Sequence, residues 1–381
     1  MKELFSQTFN SELDLVANAP GRLEILGNHT DYNEGFVLST AVDKKTSIGF
    51  RKIDGNTCEV FSPFFAEQGV RKIDLNDLTT PLEGKDWLNY VRGVLNEMQK
   101  GGLKPGAFQA YITSDIPLSA GMSSSASLEM ALVEGICALF DFELSTGDKA
   151  RIGQACENNY IGANTGLMDQ LTSLSGQKDQ LVVSEYRNLE VHNLVFPSEL
   201  AWVVINSEVK HDLSEEYNER REQCEGALAK LQETVEGATA LRDISVAVLE
   251  ANKNNLTEGQ YKRALHVTGE TERVLNAHDF LVKSDFESFG KLLFESHESS
   301  INNFENSCPE LDALVDLAKE SPLCLGARLS GGGFGGVSIH LVRREDADAY
   351  RQFIADRFTA QDKPEPPMWV CEVSVGSTVE K

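Results

Sequence analysis

Residues 117–132 read PLSAGMSSSASLEMAL. Upstream, GAFQAYITSDIP alternates as a strand and stops at Pro117; downstream, SLEMALVEGICALF is apolar and of helical length. A glycine and a run of serines turn the chain between them. The first turn of a helix has unpaired N–H groups and the positive end of the macrodipole, so phosphate is a natural ligand there. Gly121 lets the backbone come close to a ligand. Ser123, Ser124 and Ser125 add hydroxyls, one of which could also touch a magnesium ion. A helix cap needs only one serine. Three beside a glycine favour phosphate. No Walker lysine is present, so this is not a P-loop.

Three further stretches carry unusual chemistry. LSGGGFGGVSIHLV (329–342) matches GxGxxG by letter at Gly331, Gly333 and Gly336. Its glycines lead into a period-two strand and not a helix, so it is a weak dinucleotide fingerprint. Five glycines in six positions mark a backbone that something approaches closely, either a ligand or the glycine-serine loop. ENNYIGANTGLMDQLTSL (157–174) holds Asp169 as a lone acid among apolar residues, either an N-cap or a carboxylate facing a substrate hydroxyl. Glu157, on the preceding helix, could supply a metal oxygen. GRLEILGNHTDYNEGF (21–36) reads as a loop dense in hydrogen-bonding groups: Arg22, Glu24, Asn28, His29, Asp31 and Tyr32. The other histidines form no HExxH or other metal spacing and read as structural. GMSSSA is not a GxSxG elbow, which argues against a serine hydrolase.

The 381 residues exceed one comfortable core, so two lobes are expected. Strands dominate the first half, with helices over 86–102, after the serine loop and over 147–160. Charged amphipathic helices dominate 214–320, and a strand pair flanks the glycine segment. The pattern is α+β, with a boundary near residue 195. The formal charge of −24 argues against nucleic acid as main partner. No stretch approaches the roughly 18 apolar residues of a membrane span. The N-terminal segment lacks an apolar signal core, and seven scattered cysteines without a CxxC fit reduced thiols, so a cytoplasmic protein is expected.

Together these stretches resemble the family of small-molecule kinases that includes galactokinase, homoserine kinase, mevalonate kinase and phosphomevalonate kinase. APGRLEILGNHTDYNEGFVL resembles the galactokinase signature, PLSAGMSSSASLE the ATP loop and GARLSGGGFGG the C-terminal glycine loop. WLNYVRGV, GLMDQLTSLSGQKD, SEEYNERREQCE and NSCPELDALV extend the likeness nearly end to end. The resemblance implies a two-lobe fold of mixed sheets and helices, 1–195 and 196–381, with the active site in the cleft between. It implies ATP, Mg²⁺ and transfer of the γ-phosphoryl group to the anomeric hydroxyl of galactose; a monomer is expected. Nucleotide would fall to Ser119, Gly121, Ser123, Ser124, Ser125, Ala126 and Ser127. The metal would fall to Ser125 and Glu157. Asp169 would act as base with Arg22 beside it, and the sugar would meet Glu24, Asn28, His29, Asp31, Gly166, Asp169 and Tyr217. Gly331, Gly332, Gly333, Gly335 and Gly336 would form the structural loop. An acid held against arginine is a weak base, which suffices for phosphoryl transfer because the nucleophile loses its proton late.

The chain departs from the family at positions 24 and 28, and at Thr165, where relatives often have Cys and little consequence is expected. Relatives usually carry Asn where it has Glu24, and Glu, facing the sugar's C6 hydroxyl, where it has Asn28. Either the pair is a compensating exchange, or neutral Asn28 admits a C6 carboxylate such as galacturonate. Like charges about 4 Å apart repel by about 4 kcal/mol at an effective dielectric near 20, so an acid there excludes a uronate. No added Arg or Lys near Asn28 attracts one, and galactose is the expected substrate. Some relatives are non-catalytic sugar and ATP sensors that can lack a Ser-Ala pair in the phosphate loop. Ser125-Ala126 is present here, with Asp169 and Arg22, which favours an enzyme. A nicotinamide-dependent oxidoreductase rests only on the letter match at 331–336.

Overall fold

The computed structural model describes residues 1–117, 121–163, 165–209, 214–361 and 363–381, without the side chains of 214–217. The strands are β1 (Leu15–Leu26), β2 (Phe36–Lys52), β3 (Thr57–Phe61), β4 (Arg71–Asp74), β5 (Phe108–Ser114) and β6 (Gln180–Glu185). They continue as β7 (Glu190–Val195), β8 (Leu200–Asn206), β9 (Cys324–Ser330), β10 (Val337–Arg343), β11 (Met368–Cys371) and β12 (Thr378–Glu380). The helices are α1 (Lys2–Phe9), α2 (Leu88–Lys100), α3 (Ser124–Phe140), α4 (Thr146–Ala155), α5 (Met168–Ser175) and α6 (Ser214–Leu231). After these come α7 (Val246–Asn252), α8 (Glu258–Val282), α9 (Phe286–Ser299), α10 (Pro309–Glu320) and α11 (Ala347–Thr359).

The first sheet is ordered β12-β1-β2-β5-β3-β4, with β6 and β7 continuing from the start of β2. Its pairs are antiparallel except β3 with β5. The second sheet, β11-β8-β10-β9, is antiparallel. The last strand, β12, returns to the first sheet and pairs with β1.

β1 corrects the reading of 21–36 as a loop. Pro20-Gly21 argues against a strand from sequence. Register shifts against β2, between Pro20 and Arg22 and between Glu24 and Leu26, absorb that interruption. Arg22 and Glu24 therefore stand on a strand, and the turn proper lies between β1 and β2. Beyond that turn run the seventeen residues of β2, whose buried Val37, Leu38, Ile48 and Phe50 hold it in the sheet centre.

Two cores position the site. Phe50, Val60, Val91, Leu95, Phe108 and Met130 pack α2 and α3 on one face of the first sheet. The second core is shared between sheets: Leu23, Ile25 and Leu38 of the first meet Trp202, Val204, Ile339 and Leu341 of the second, with Val274 and Phe289 of α8 and α9. Each such side chain contributes about 1.5–3 kcal/mol when fully buried. The seam is thus fixed by packing, and the ends of β1, β9 and β10 open at its edge. No described helix is long and apolar enough to cross a membrane.

Candidate active site

A cavity of about 1020 Å³ lies at this edge. Gly121, Ser123, Ser124 and Ser125 line it, together with Gly331, Gly332, Gly333, Gly335 and Gly336. The two glycine segments touch. A Cβ at Gly336 would stand 3.6 Å from Gly121 Cα, and one at Gly121 would stand 3.3 Å from the Val337 nitrogen. The glycine-serine turn is thus the neighbour of Gly336 at ordinary van der Waals distance, and the φ of 77° at 336 is what favours glycine there. Ser123 precedes α3 with φ 53°, and Ser124 and Ser125 form its first turn, so the N–H-rich end of α3 faces the cavity. Ser119 lies outside the described residues. Ala126 and Ser127 are fully buried and neither lines the cavity. The Ser127 hydroxyl donates to Ala19 O (2.6 Å) and accepts from the Thr46 N–H (3.1 Å), tying α3 to β1 and β2.

Asp169 lies in the first turn of α5, one residue inside the helix, so it is not the N-cap, which is Leu167. Arg22 grips it with two parallel bonds, Nε to Oδ1 at 2.7 Å and Nη2 to Oδ2 at 2.9 Å. The third arm of the guanidinium, Nη1, donates to Gly121 O at 2.7 Å. Arg22 therefore joins the phosphate-loop turn to the carboxylate. Burial works against its charge, but Asp169, Glu24 and Glu157 outweigh it and hold the pKa above the ordinary arginine value. The Ser123 hydroxyl donates to Asp169 Oδ2.

Next to Asp169 the β1–β2 turn brings Asn28, His29 and Asp31 to the cavity wall. Asn28 is fully engaged inside the protein: Nδ2 donates to Glu24 Oε1 (2.9 Å) and Gly331 O (2.8 Å), and Oδ1 accepts from Asn306 (3.0 Å). Burial pushes the Glu24 carboxyl up to about 7, against the pull of Arg328 and Arg22. His29 adopts φ 60°, and its ring stacks on Phe304 at 4.2 Å. Its Nε2 donates to Gly332 O and its Nδ1 accepts from the Tyr32 hydroxyl, which fixes the tautomer. Burial lowers its pKa to about 3, so the imidazole is neutral. Asp31 is raised to about 6 by burial, although the backbone N–H groups of Tyr32 and Met168 favour its charged form. Gly166 packs against it: an added Cβ would fall 1.5 Å from Asp31 Oδ2. The Tyr217 side chain lies outside the described residues.

Glu157 sits in a π-helical turn after α4, buried behind Ser125 and Thr165. It accepts from the Thr165 hydroxyl (2.5 Å) and from Gln170 (3.3 Å). Burial raises its pKa, with the Asp169 charge adding to the shift. The Ser125 hydroxyl and the buried Glu157 carboxylate make an oxygen donor pair suited to a hard divalent cation that also takes phosphate oxygens. Among the described residues, no three His, Cys, Asp or Glu side chains converge as a self-sufficient metal cage.

Two features of the site are not evident from sequence. Pro81, Leu82, Asn89 and Tyr90 extend the cavity beyond the phosphate loop. His266 and Glu270 of α8 reach the β1–β2 turn from behind. Their spacing, one helical turn apart, is the available signal.

The chain matches the model of the GHMP kinases N terminal domain over residues 89–177 and of the GHMP kinases C terminal domain over 277–360. It matches the galactokinase galactose-binding signature over 3–52. It is 40% identical to the galactokinase of Mannheimia succiniciproducens, covering 98% of this chain and 97% of that protein. It is also 40% identical to the galactokinase of Pasteurella multocida, covering 99% and 98%. The Lactococcus lactis galactokinase structure, complexed with galactose, superposes with a TM-score of 0.93 at 29% identity, over 99% of this chain and 98% of that one.

Proposed function

Because the chain belongs to the galactokinase family of GHMP kinases, we propose that its cavity transfers the γ-phosphoryl group of ATP to the anomeric hydroxyl of galactose, giving galactose 1-phosphate and ADP. The protein is an ATP-dependent sugar kinase. In this reading the triphosphate lies on the N-terminus of α3, against Gly121 and Ser123–Ser125, and the base extends toward Pro81–Tyr90. Galactose lies over the turn carrying His29 and Asp31, beside Gly166. The Asp169 carboxylate takes the O1 proton as the O1–phosphorus bond forms. The bond between the γ-phosphorus and the bridging oxygen breaks, and its electron pair leaves with ADP. Arg22 holds Asp169 in one orientation and offsets charge on the group in transfer. Ser125 and Glu157 would hold Mg²⁺, which neutralises phosphate charge when bound.

The observation that carries this is the Arg22 fork, bonded at once to the carboxylate and to the backbone of the phosphate-loop turn. It couples the donor and acceptor halves of one cavity. The Asn28–Glu24 hydrogen bond supports a compensating exchange, with one acid and one amide retained, and hence galactose over a uronate. A sugar panel with ATP and Mg²⁺, read by ADP release, tests the reading. Galactose should head it, and Asp169→Asn should lose about 10²–10⁴-fold in turnover while ATP still binds. Turnover of galacturonate well above galactose, or sugar-independent ADP release, would overturn it.

A further inference from the structure

We propose that His266, Glu270 and Arg273, on one face of α8, are positioning residues that hold the sugar-facing turn from behind. The inference rests on the reading of that turn as the galactose contact. Positions 266, 270 and 273 are spaced by four and three, so their side chains project from the same side of the helix. Glu270 is fully buried. Its Oε2 accepts from the backbone N–H of Gly27 (2.8 Å) and of Asn28 (3.0 Å). Its Oε1 accepts from Arg273 Nε at 2.6 Å. His266 completes the hold: its Nε2 donates to Asn28 O at 3.1 Å, and its Nδ1 accepts from the Ser299 hydroxyl at 3.0 Å. A carbonyl can only accept, so the partner at Asn28 fixes the histidine tautomer.

Both N–H groups and the Asn28 carbonyl are therefore satisfied by one distant helix, while the Gly27 carbonyl is satisfied by Thr30. The backbone on either side of Asn28 makes this hold necessary. His29 stands at φ 60°, a conformation a non-glycine residue keeps only when its surroundings impose it. Gly27, at φ 94°, leaves no room for a side chain, since a Cβ would meet Phe36 O at 2.3 Å. The peptide between these constraints is the one that Glu270 clamps. Burial opposes the charge of Glu270, but Arg273, with Arg328 and the Asn28 N–H, more than offsets it, so its pKa lies below the ordinary range and it stays ionised. The clamp acts through backbone groups and touches no substrate.

The test is a split between substrates. Glu270→Ala should raise KM for galactose about tenfold to hundredfold, the loss expected for charge-assisted bonds that orient a binding turn. KM for ATP should stay within about twofold, because the phosphate loop lies on another element. Glu270→Gln, which keeps an acceptor oxygen, should recover most of the galactose affinity. Arg273→Ala, a half-buried position that leaves the carboxylate in place, should show a smaller rise of the same kind and serves if Glu270→Ala does not fold. A galactose KM unchanged in folded Glu270→Ala, or in Arg273→Ala where Glu270→Ala does not fold, would overturn the proposal. So would a rise in both KM values in step. Failure of the wild-type protein to phosphorylate galactose would instead sink the functional reading on which this one rests.

Discussion

Replacing Gly166 by alanine tests the sugar side of the cavity through a single methyl group. The added Cβ would stand 1.5 Å from Asp31 Oδ2, where real Cβ contacts hardly ever fall below 3.0 Å, so the carboxylate must retreat by about 1.5 Å. Gly166 does not adopt a positive φ, so alanine fits the backbone and the displacement of Asp31 is the main effect. The displaced carboxylate loses the N–H groups of Tyr32 and Met168 as well as any sugar hydroxyl it holds. A hydrogen bond to a charged group contributes about 1.5–3 kcal/mol, or roughly 10- to 150-fold in affinity. KM for galactose should therefore rise by that factor, with KM for ATP nearly unchanged. Gly162→Ala is the control. It has φ 89° but no atom within 4 Å, so it strains the backbone without touching Asp31. Steady-state kinetics of both variants, with melting curves to correct for stability, decide the matter. A wild-type galactose KM in Gly166→Ala, or the same rise in Gly162→Ala, would refute the reasoning.

Asp31 also sets an expected pH dependence. Its pKa is raised to about 6, so it accepts a sugar hydroxyl above that pH and loses acceptor capacity as pH falls through it. The kcat/KM for galactose should fall between pH 7 and 5, and Asp31→Asn should be uniformly poor and lose that limb. The sign for stability is opposite: a carboxyl with a raised folded pKa contributes stability at low pH that is lost as pH rises through about 6. Asn28→Glu places a second acid against Glu24, now 2.9 Å from the Asn28 amide. Two ionised carboxylates at roughly 4 Å and an effective dielectric near 20 would repel by about 4 kcal/mol, and because Glu24 is already raised to about 7 the pair should keep a proton near neutrality, so the melting temperature should drop more steeply as pH rises above 7. The double exchange with Glu24→Asn should recover most of the loss, whereas additive losses would show that the two positions do not compensate.

Much of the site was legible because its chemistry is local. The serine run ahead of an apolar helix, and glycines ahead of a strand, reveal backbone geometry within a few residues, and the structure brings both to one cavity. What stayed hidden depends on partners far along the chain. β1 was obscured by Pro20-Gly21, which only a bulge against β2 makes tolerable. Ser127 looks identical in sequence to Ser124 and Ser125, yet it is three residues round the helix from Ser124 and faces Ala19. Glu270 lies more than 240 positions from the peptides it holds, and no period in the sequence announces such a pairing. His266, read as structural, has a partner that only the fold supplies.

The charge of the chain poses the remaining problem, since a protein of formal charge −24 must take in a polyanion. The cavity lining does not solve it by itself. Among its described residues Glu24, Asp31, Asp86 and Asp169 stand against Arg22 and Lys85, and Arg22 is already paired with Asp169. The N-terminus of α3 contributes about 0.3–2 kcal/mol toward an anion. A divalent cation about 4 Å from one phosphate charge contributes about 8 kcal/mol at an effective dielectric near 20, before desolvation. The cation term is larger by several-fold, so the nucleotide should enter as its metal complex, with Ser125 and Glu157 as the protein's oxygens. Calorimetric titration with ATP in Mg²⁺ and in chelator should then differ by at least about tenfold in affinity, and Glu157→Gln should narrow the gap. Equal affinity in the two buffers would mean that the backbone of the two glycine segments, and not the cation, overcomes the acidic field.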